Sequence, residues 1–428
     1  MIPFKTIFFF FGLSFTFFAC TPVRPASEIE ERLAKSQASV SQVTDHNRFV
    51  YNKRGVHLLL DDALYTWPLD VWPIHMRYAR TAVGEWGYVV QLVRLDNLDI
   101  EQWQYFMDLC AELHLQPILR LATTHDNDQG FWTAPVQDID GSYHTVANQY
   151  ANFVTSLRWP TETPYVIVGN EPNHGNEWGG QPDPAAYARF LIDVSTAVHH
   201  QVPQTKILNA GFDPYSPHTN GQPFIDGQAY IDSETFIDLM ITAHPEVFQH
   251  VDIWASHSYP LGPLTAPPWQ QTYQIDLING ATNPNQLPQI EGVYNRGING
   301  YVWELRKLES YGITGIPVMI TETGWRHAES THLQSRDQQG HYPDLDTVAQ
   351  YLDLAWQGNQ GRYPKLPETG WTAWQDDPQV MAVIPFAFNG LPSVWGHTNW
   401  LALDEAGHVL SIYPMVTTLS KQENSIKP

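Results

Sequence analysis

Two stretches of the chain run an apolar strand directly into a glutamate. Val166-Ile167-Val168-Gly169-Asn170-Glu171-Pro172-Asn173 passes straight into Asn-Glu-Pro, and Val318-Met319-Ile320-Thr321-Glu322-Thr323-Gly324-Trp325 ends a second apolar run at Glu322. A carboxylate at the edge of an apolar strand is costly unless it is solvated, paired or used. Two carboxylates facing one acetal can hydrolyse it: one protonates the leaving oxygen while the other attacks or activates water. Either glutamate alone could merely pair with a neighbouring cation. Two strand-terminal glutamates of this kind point instead to one shared pocket.

The elements that must position them alternate along the chain. Short apolar runs at 55–60, 88–94, 116–122, 165–169, 205–210, 251–257, 317–321 and 380–388 read as strands. Amphipathic helical patterns lie between them, including 100–113, 146–157, 184–199, 233–242 and 301–311. Several strands are apolar on both faces, as expected for a parallel sheet covered by helices. Eight such units predict an α/β chain folded as a (β/α)8 TIM barrel over residues 53–428, with the site on the loops that follow the strands. An open α/β sheet is the alternative if a strand is miscounted. Pro- and Gly-rich loops at 123–143, 212–231, 260–299 and 326–344 all follow strands and would wall a cleft.

In these motifs the sequence looks like a clan A glycoside hydrolase, the retaining group that includes families 5 and 39. The resemblance covers about 55–413. It implies that Asn170-Glu171, ending strand four, supplies the acid/base, and that Glu322, ending strand seven, is the nucleophile. It further implies that Arg94, ending strand two, lies near the nucleophile and holds it ionised. Asn170 would hydrogen-bond the sugar 2-hydroxyl, Tyr259 would donate to Glu322, and His257 would bind sugar hydroxyls. Strand eight departs from the clan, which commonly ends it with a Trp that floors the first subsite. Here the residues are Phe386-Ala387-Phe388-Asn389-Gly390, and the floor falls to Trp395, Trp400 or Phe388. A retaining mechanism needs the carboxyl groups about 5–5.5 Å apart, against about 6.5–9.5 Å for inversion, and no cofactor or metal.

The remaining features narrow the function class. The net charge of −22, with 23 Lys plus Arg, leaves no basic patch for nucleic acid. Aromatics make up 13% of the chain, suiting either sugar platforms or a large core, and Trp132, Trp178, Trp269 and Trp325 fall on the expected cleft loops. The expected partner is therefore an oligo- or polysaccharide. His125-Asp126-Asn127-Asp128 lacks the spacing of a calcium loop and reads as a polar rim. No Gly-rich phosphate loop or zinc spacing is present. Of the two cysteines, Cys110 lies in a helical pattern and reads as a buried thiol. Cys20 ends the apolar run Ile7 to Ala19, which fits a signal peptide (1–20) closing in a lipoprotein-like cleavage box, followed by a tether and lead-in segment (21–52). Export is expected, as a cell-surface or periplasmic lipoprotein or as a secreted protein, with membrane contact only through a lipid at Cys20. The rival readings are a non-catalytic carbohydrate-binding lipoprotein and an ester hydrolase. The latter would need a Gly-x-Ser-x-Gly elbow, which the sequence lacks.

Overall fold

A computed structural model describes residues 52–224, 227–271, 289–329 and 342–420. The signal segment, its Cys20 and the tether up to Tyr51 lie outside the described residues. The strands are β1 Gly55–Leu58, β2 Tyr88–Arg94, β3 Gln116–Ala122, β4 Tyr165–Val168, β5 Lys206–Asn209, β6 Trp254–His257, β7 Val318–Thr323 and β8 Val380–Pro385. A helix follows each: α1 Trp72–Val83, α2 Ile100–Leu113, α3 His144–Ser156, α4 Pro184–Gln201, α5 Ser233–Ala243, α6 Gly300–Ser310, α7 Leu345–Gln357 and α8 Pro414–Ser420. Four of these helices start at aspartates that accept from their first-turn amides. Asp99 caps α2, Asp183 α4, Asp232 α5 and Asp344 α7. Each cap satisfies donors that the helix itself leaves unpaired.

Strands β1 to β5 form one parallel sheet and β6 to β8 another, each in chain order. The sheets meet at both outer edges through isolated parallel bridges. Leu208 bridges Ile253 just ahead of β6, and Arg54 just ahead of β1 bridges Val383 of β8. At the second seam Val383 N donates to Lys53 O at 2.8 Å, and Phe388 N donates to His57 O at 2.9 Å. Every predicted strand position carries a strand, most of them trimmed by a residue or more. Two ends moved in ways that matter: β7 runs on past Glu322 to Thr323, and β8 stops at Pro385 rather than Phe388.

Side chains alternate between two cores. One small cluster, including Tyr88, Val90, Ile118, Ile167, Leu208, Met319, Ala382 and Ile384, gathers inward-facing residues from both sheets. The larger core lies between strands and helices, with fully buried Trp67, Trp72, Trp103, Trp254, Trp303 and Trp374. Burying an aliphatic or aromatic side chain of this size contributes about 1.5–3 kcal/mol. Most of the protein's tryptophans are thus structural, and Cys110 is a fully buried thiol in the same layer. Gly55 has a steric reason for its type. A Cβ there would stand 2.7 Å from Ile384 Cγ1, inside the small cluster.

Candidate active site

Past β4 the chain turns sharply through Gly169 (φ 88°) and Asn170 into Glu171 (φ 31°). A non-glycine residue at positive φ costs about 1–3 kcal/mol and persists only where its surroundings fix it. Here Glu171 N donates to Gly211 O at 3.0 Å, and His174 N donates to Glu171 O at 2.8 Å. On the other side of the site Glu322 lies within β7, paired with His257 of β6, at a register shift after Ile320. Such an irregularity re-aims a side chain out of the regular alternation. Glu322 is only 6% exposed.

The two carboxyls face each other with a histidine between them. His257 Nδ1 lies 2.7 Å from Glu171 Oε1 and 3.7 Å from Glu322 Oε2. One oxygen of each glutamate and one nitrogen of His257 all fall within 4.8 Å of one another. Glu322 is held at both ends: Arg120 Nη1 donates to Oε1 at 2.9 Å, and Tyr259 Oη donates to Oε2 at 2.8 Å. The same Arg120 nitrogen donates to Asn170 Oδ1 at 2.5 Å. His57 Nδ1, from β1, stands 3.6 Å from Glu322 Oε1. Two carboxylates and a histidine at this spacing also have the donor atoms to hold a metal ion. The Arg120 guanidinium and a protonated His257 already supply the positive charge such an ion would bring.

Burial raises the Glu171 carboxyl above its ordinary range, and the charges of Asp213 and Glu322 push it the same way against the opposing His257. Burial disfavours a charged His257, but Glu322 and Glu171 outweigh it and raise the imidazole to about 9. Both shifts favour a proton at the 2.7 Å contact between His257 Nδ1 and Glu171 Oε1. His57 is driven well below its usual value, first by burial and then by Arg120 and His257, so it is a neutral ring. Tyr259 is pushed well up, by burial and then by Glu322, and remains a hydroxyl donor. A third carboxyl, Glu177, is raised to about 8 by burial and by the charge of Glu171, against Arg120 and an Asn170 hydrogen bond.

Of the residues singled out in the sequence, Asn170, Glu171, His257, Tyr259 and Glu322 come together. Arg94 does not join them. Its Nε lies 3.3 Å from Asp61 Oδ2 and its Nη1 3.7 Å from Asp96, because its strand delivers it to the buried Asp61 of the loop after β1. The cation beside Glu322 is Arg120, one strand further on. Trp325 is likewise no platform: it is 3% exposed, its Nε1 donates to Ala266 O at 2.8 Å, and it packs against Tyr351 and Trp374. Trp400 is 4% exposed behind Phe388, which is wholly buried. Neither can floor a subsite. The half-buried ring at the end of β8 is Phe386, edge-on to His57 at 5.0 Å and to Trp395 at 4.9 Å. Half-buried Trp132 and buried Trp178 both line a small cavity with Asn170. The polar segment from His125 forms the turn of a short hairpin, in which Asp126 accepts from the Asp128 and Gln129 amides.

No protein-family model matches the chain. No curated protein matches it in sequence. Its structural neighbours are clan A glycoside hydrolases with TIM-barrel folds. A glucosidase from Croceicoccus marinus aligns over 87% of this chain and 68% of its own, at 13% identity and a TM-score of 0.50. Fungal beta-1,4-galactanases align over 86% of this chain and 99% of theirs, at 12% identity and 0.49. The family 1 β-glucosidase of Thermotoga maritima aligns over 83% and 87%, at 12% and 0.44. At 13% identity the likeness to the glucosidase speaks to the fold alone and leaves the chemistry to the site.

Proposed function

We propose that the chain is a retaining glycoside hydrolase acting on the O-glycosidic bonds of a β-linked glycan. The observation that carries this is the approach of Glu171 and Glu322 oxygens to within 4.8 Å of one another across His257. That spacing fits the about 5–5.5 Å separation of a nucleophile and its acid/base, and leaves no room for the extra water of inversion. The two edge bridges and the inward cluster shared by both sheets support a closed eight-stranded barrel, with the site where β4, β6 and β7 end.

Glu322 attacks the anomeric carbon while Glu171 gives its proton to the departing glycosidic oxygen. The C–O bond to the leaving group breaks, and a glycosyl ester forms on Glu322. Glu171, now a carboxylate, takes a proton from water, whose oxygen attacks the same carbon and frees Glu322 with configuration retained. Arg120 and Tyr259 hold the nucleophile's two oxygens so that it is aimed before substrate arrives, which is how positioning lowers a barrier. Export and a lipid at Cys20 remain part of the proposal on the strength of the N-terminal sequence.

A screen of purified protein beside Glu322→Gln, on β-linked glycans and aryl glycosides, tests the reading. Product from the parent that vanishes in the variant is the expected result. Glycan binding without product from either protein would favour a binding protein instead.

A further inference from the structure

Where β5 meets β6 the backbones are joined by one isolated bridge, Leu208 to Ile253, with the Asp252 and Ile253 amides both donating to Ile207 O at 2.9 and 3.3 Å. Side chains extend this seam in both directions. Below the bridge Asp252 Oδ2 accepts from Ile207 N at 2.9 Å. Above it, toward the site, the Asn209 carboxamide lies across the gap. Ala255 N donates to Asn209 Oδ1 at 2.8 Å, and Nδ2 donates to Ala255 O at 3.1 Å and to Ala210 O at 2.7 Å. Asn209 is wholly buried, and its amide does for β6 what a backbone peptide does elsewhere in the ladder, while its own backbone pairs with Val168 of β4. The amide can face only one way, because Ala255 N needs an acceptor and Ala255 O a donor.

This tie stands two residues short of both grips on the acid/base. Past Asn209, Gly211 O accepts from Glu171 N at 3.0 Å. Past Ala255, His257 Nδ1 lies 2.7 Å from Glu171 Oε1. One grip holds the Glu171 backbone from the β5 side of the seam; the other holds its carboxyl from the β6 side. Their spacing leaves no slack, since a Cβ on Gly211 would stand 2.1 Å from His257 Cδ2. A shift of β6 against β5 would therefore draw the His257 ring off the carboxyl while the Glu171 backbone stayed in place.

We infer that Asn209 is a positioning residue for acid catalysis: its carboxamide splints the seam between β5 and β6, and so fixes His257 against the Glu171 carboxyl. The inference rests on the glycosidase reading given above. The Glu171 proton is needed as the leaving group departs, so a loosened splint is felt in the transition state more than in binding.

The test measures kcat/KM for Asn209→Ala, beside Asp252→Ala, on a leaving-group series of aryl glycosides of the sugar that the parent cleaves. Both variants cut a side-chain tie at the same seam, but only Asn209 lies on the site side of the bridge. Asn209→Ala is expected to lose about 10- to 100-fold on poor leaving groups, the scale of a misplaced catalytic group, and little on a dinitrophenyl glycoside. Burial raises the Glu171 carboxyl and His257 opposes that rise, so the alkaline limb of the variant's profile should move to higher pH. Asp252→Ala should melt lower than the parent and keep the parental leaving-group dependence. Asn209→Ser, whose hydroxyl can serve one of the two Ala255 groups, should show the Asn209→Ala pattern at smaller amplitude, and decides the matter if Asn209→Ala does not fold. A loss equal across the series, parental rates in a folded variant, or the same leaving-group dependence in Asp252→Ala overturns the inference and leaves the glycosidase intact. A parent inactive on every glycoside overturns both.

Discussion

Gly211→Ala adds a single carbon and should disable acid catalysis specifically. The Gly211 carbonyl accepts from Glu171 N, and its Cα faces the His257 ring. An added Cβ would stand 2.1 Å from His257 Cδ2 and 2.4 Å from Nε2, distances that no packed structure tolerates. His257 is 3% exposed and cannot swing into solvent, so its ring must slide by about 1 Å or more to restore van der Waals contact. That slide breaks the 2.7 Å contact with Glu171 Oε1. Overpacking of this kind costs about 1–3 kcal/mol of stability, and a misplacement of about 1 Å near the chemistry costs on the order of 100-fold in rate. The loss should depend on the leaving group. Aryl glycosides with poor leaving groups need the Glu171 proton and should slow about 100-fold; a dinitrophenyl glycoside, which departs without help, should slow far less. Steady-state kinetics across a leaving-group series, with a thermal melt to show that the variant folds, reads this directly. A folded variant with parental rates on the poor leaving groups would refute the idea that His257 acts through Glu171.

Three further outcomes separate roles that the structure assigns to similar residues. Arg120→Met removes the partner of a buried carboxylate and should cost about 3–5 kcal/mol of stability, with a fall in kcat/KM of at least about 100-fold. Arg94→Ala should instead lower the melting temperature while leaving kcat/KM close to parental, since its partner is Asp61; comparable activity losses in the two variants would contradict the assignment. Glu304, buried on α6 and donated to by Trp254 Nε1 at 2.8 Å, is raised by burial from 4.5 to about 7 despite its hydrogen bonds to Trp254 and Ser256. The folded protein therefore keeps this proton longer than the unfolded chain does, so stability is full below about 4.5 and declines as pH rises toward 7. That shift amounts to roughly 3 kcal/mol. Glu304→Gln should melt higher than the parent at pH 8 and lose the advantage near pH 4.5, as denaturation at both pH values will show.

The βα alternation and the two glutamate motifs were legible because both are local. An apolar run gives a strand whatever surrounds it, and Asn170-Glu171 and Glu322 stand where such runs stop. Which arginine reaches Glu322 was not local. Arg94 and Arg120 both lie on inner strands of the five-stranded sheet, and the choice depends on which face each side chain leaves. A signal for Arg120 did exist, since it interrupts the apolar run Pro117-Ile118-Leu119-Arg120-Leu121 at a depth where an unpaired charge is untenable. The tryptophans misled for the opposite reason. Trp325 and Trp400 follow strands but turn back into the helix layer, and only packing tells an inward ring from a platform.

The central claim is that Glu322 forms the covalent bond while Glu171 handles the proton. The most direct test incubates the protein with a 2-deoxy-2-fluoro glycoside, bearing a good leaving group, of the sugar that the screen identifies, then maps the labelled peptide by mass spectrometry. The account predicts a mass increase of one fluoroglycosyl group on Glu322, lost in Glu322→Gln and retained in Glu171→Gln. An active enzyme that releases product of inverted configuration and never acquires the label would contradict it.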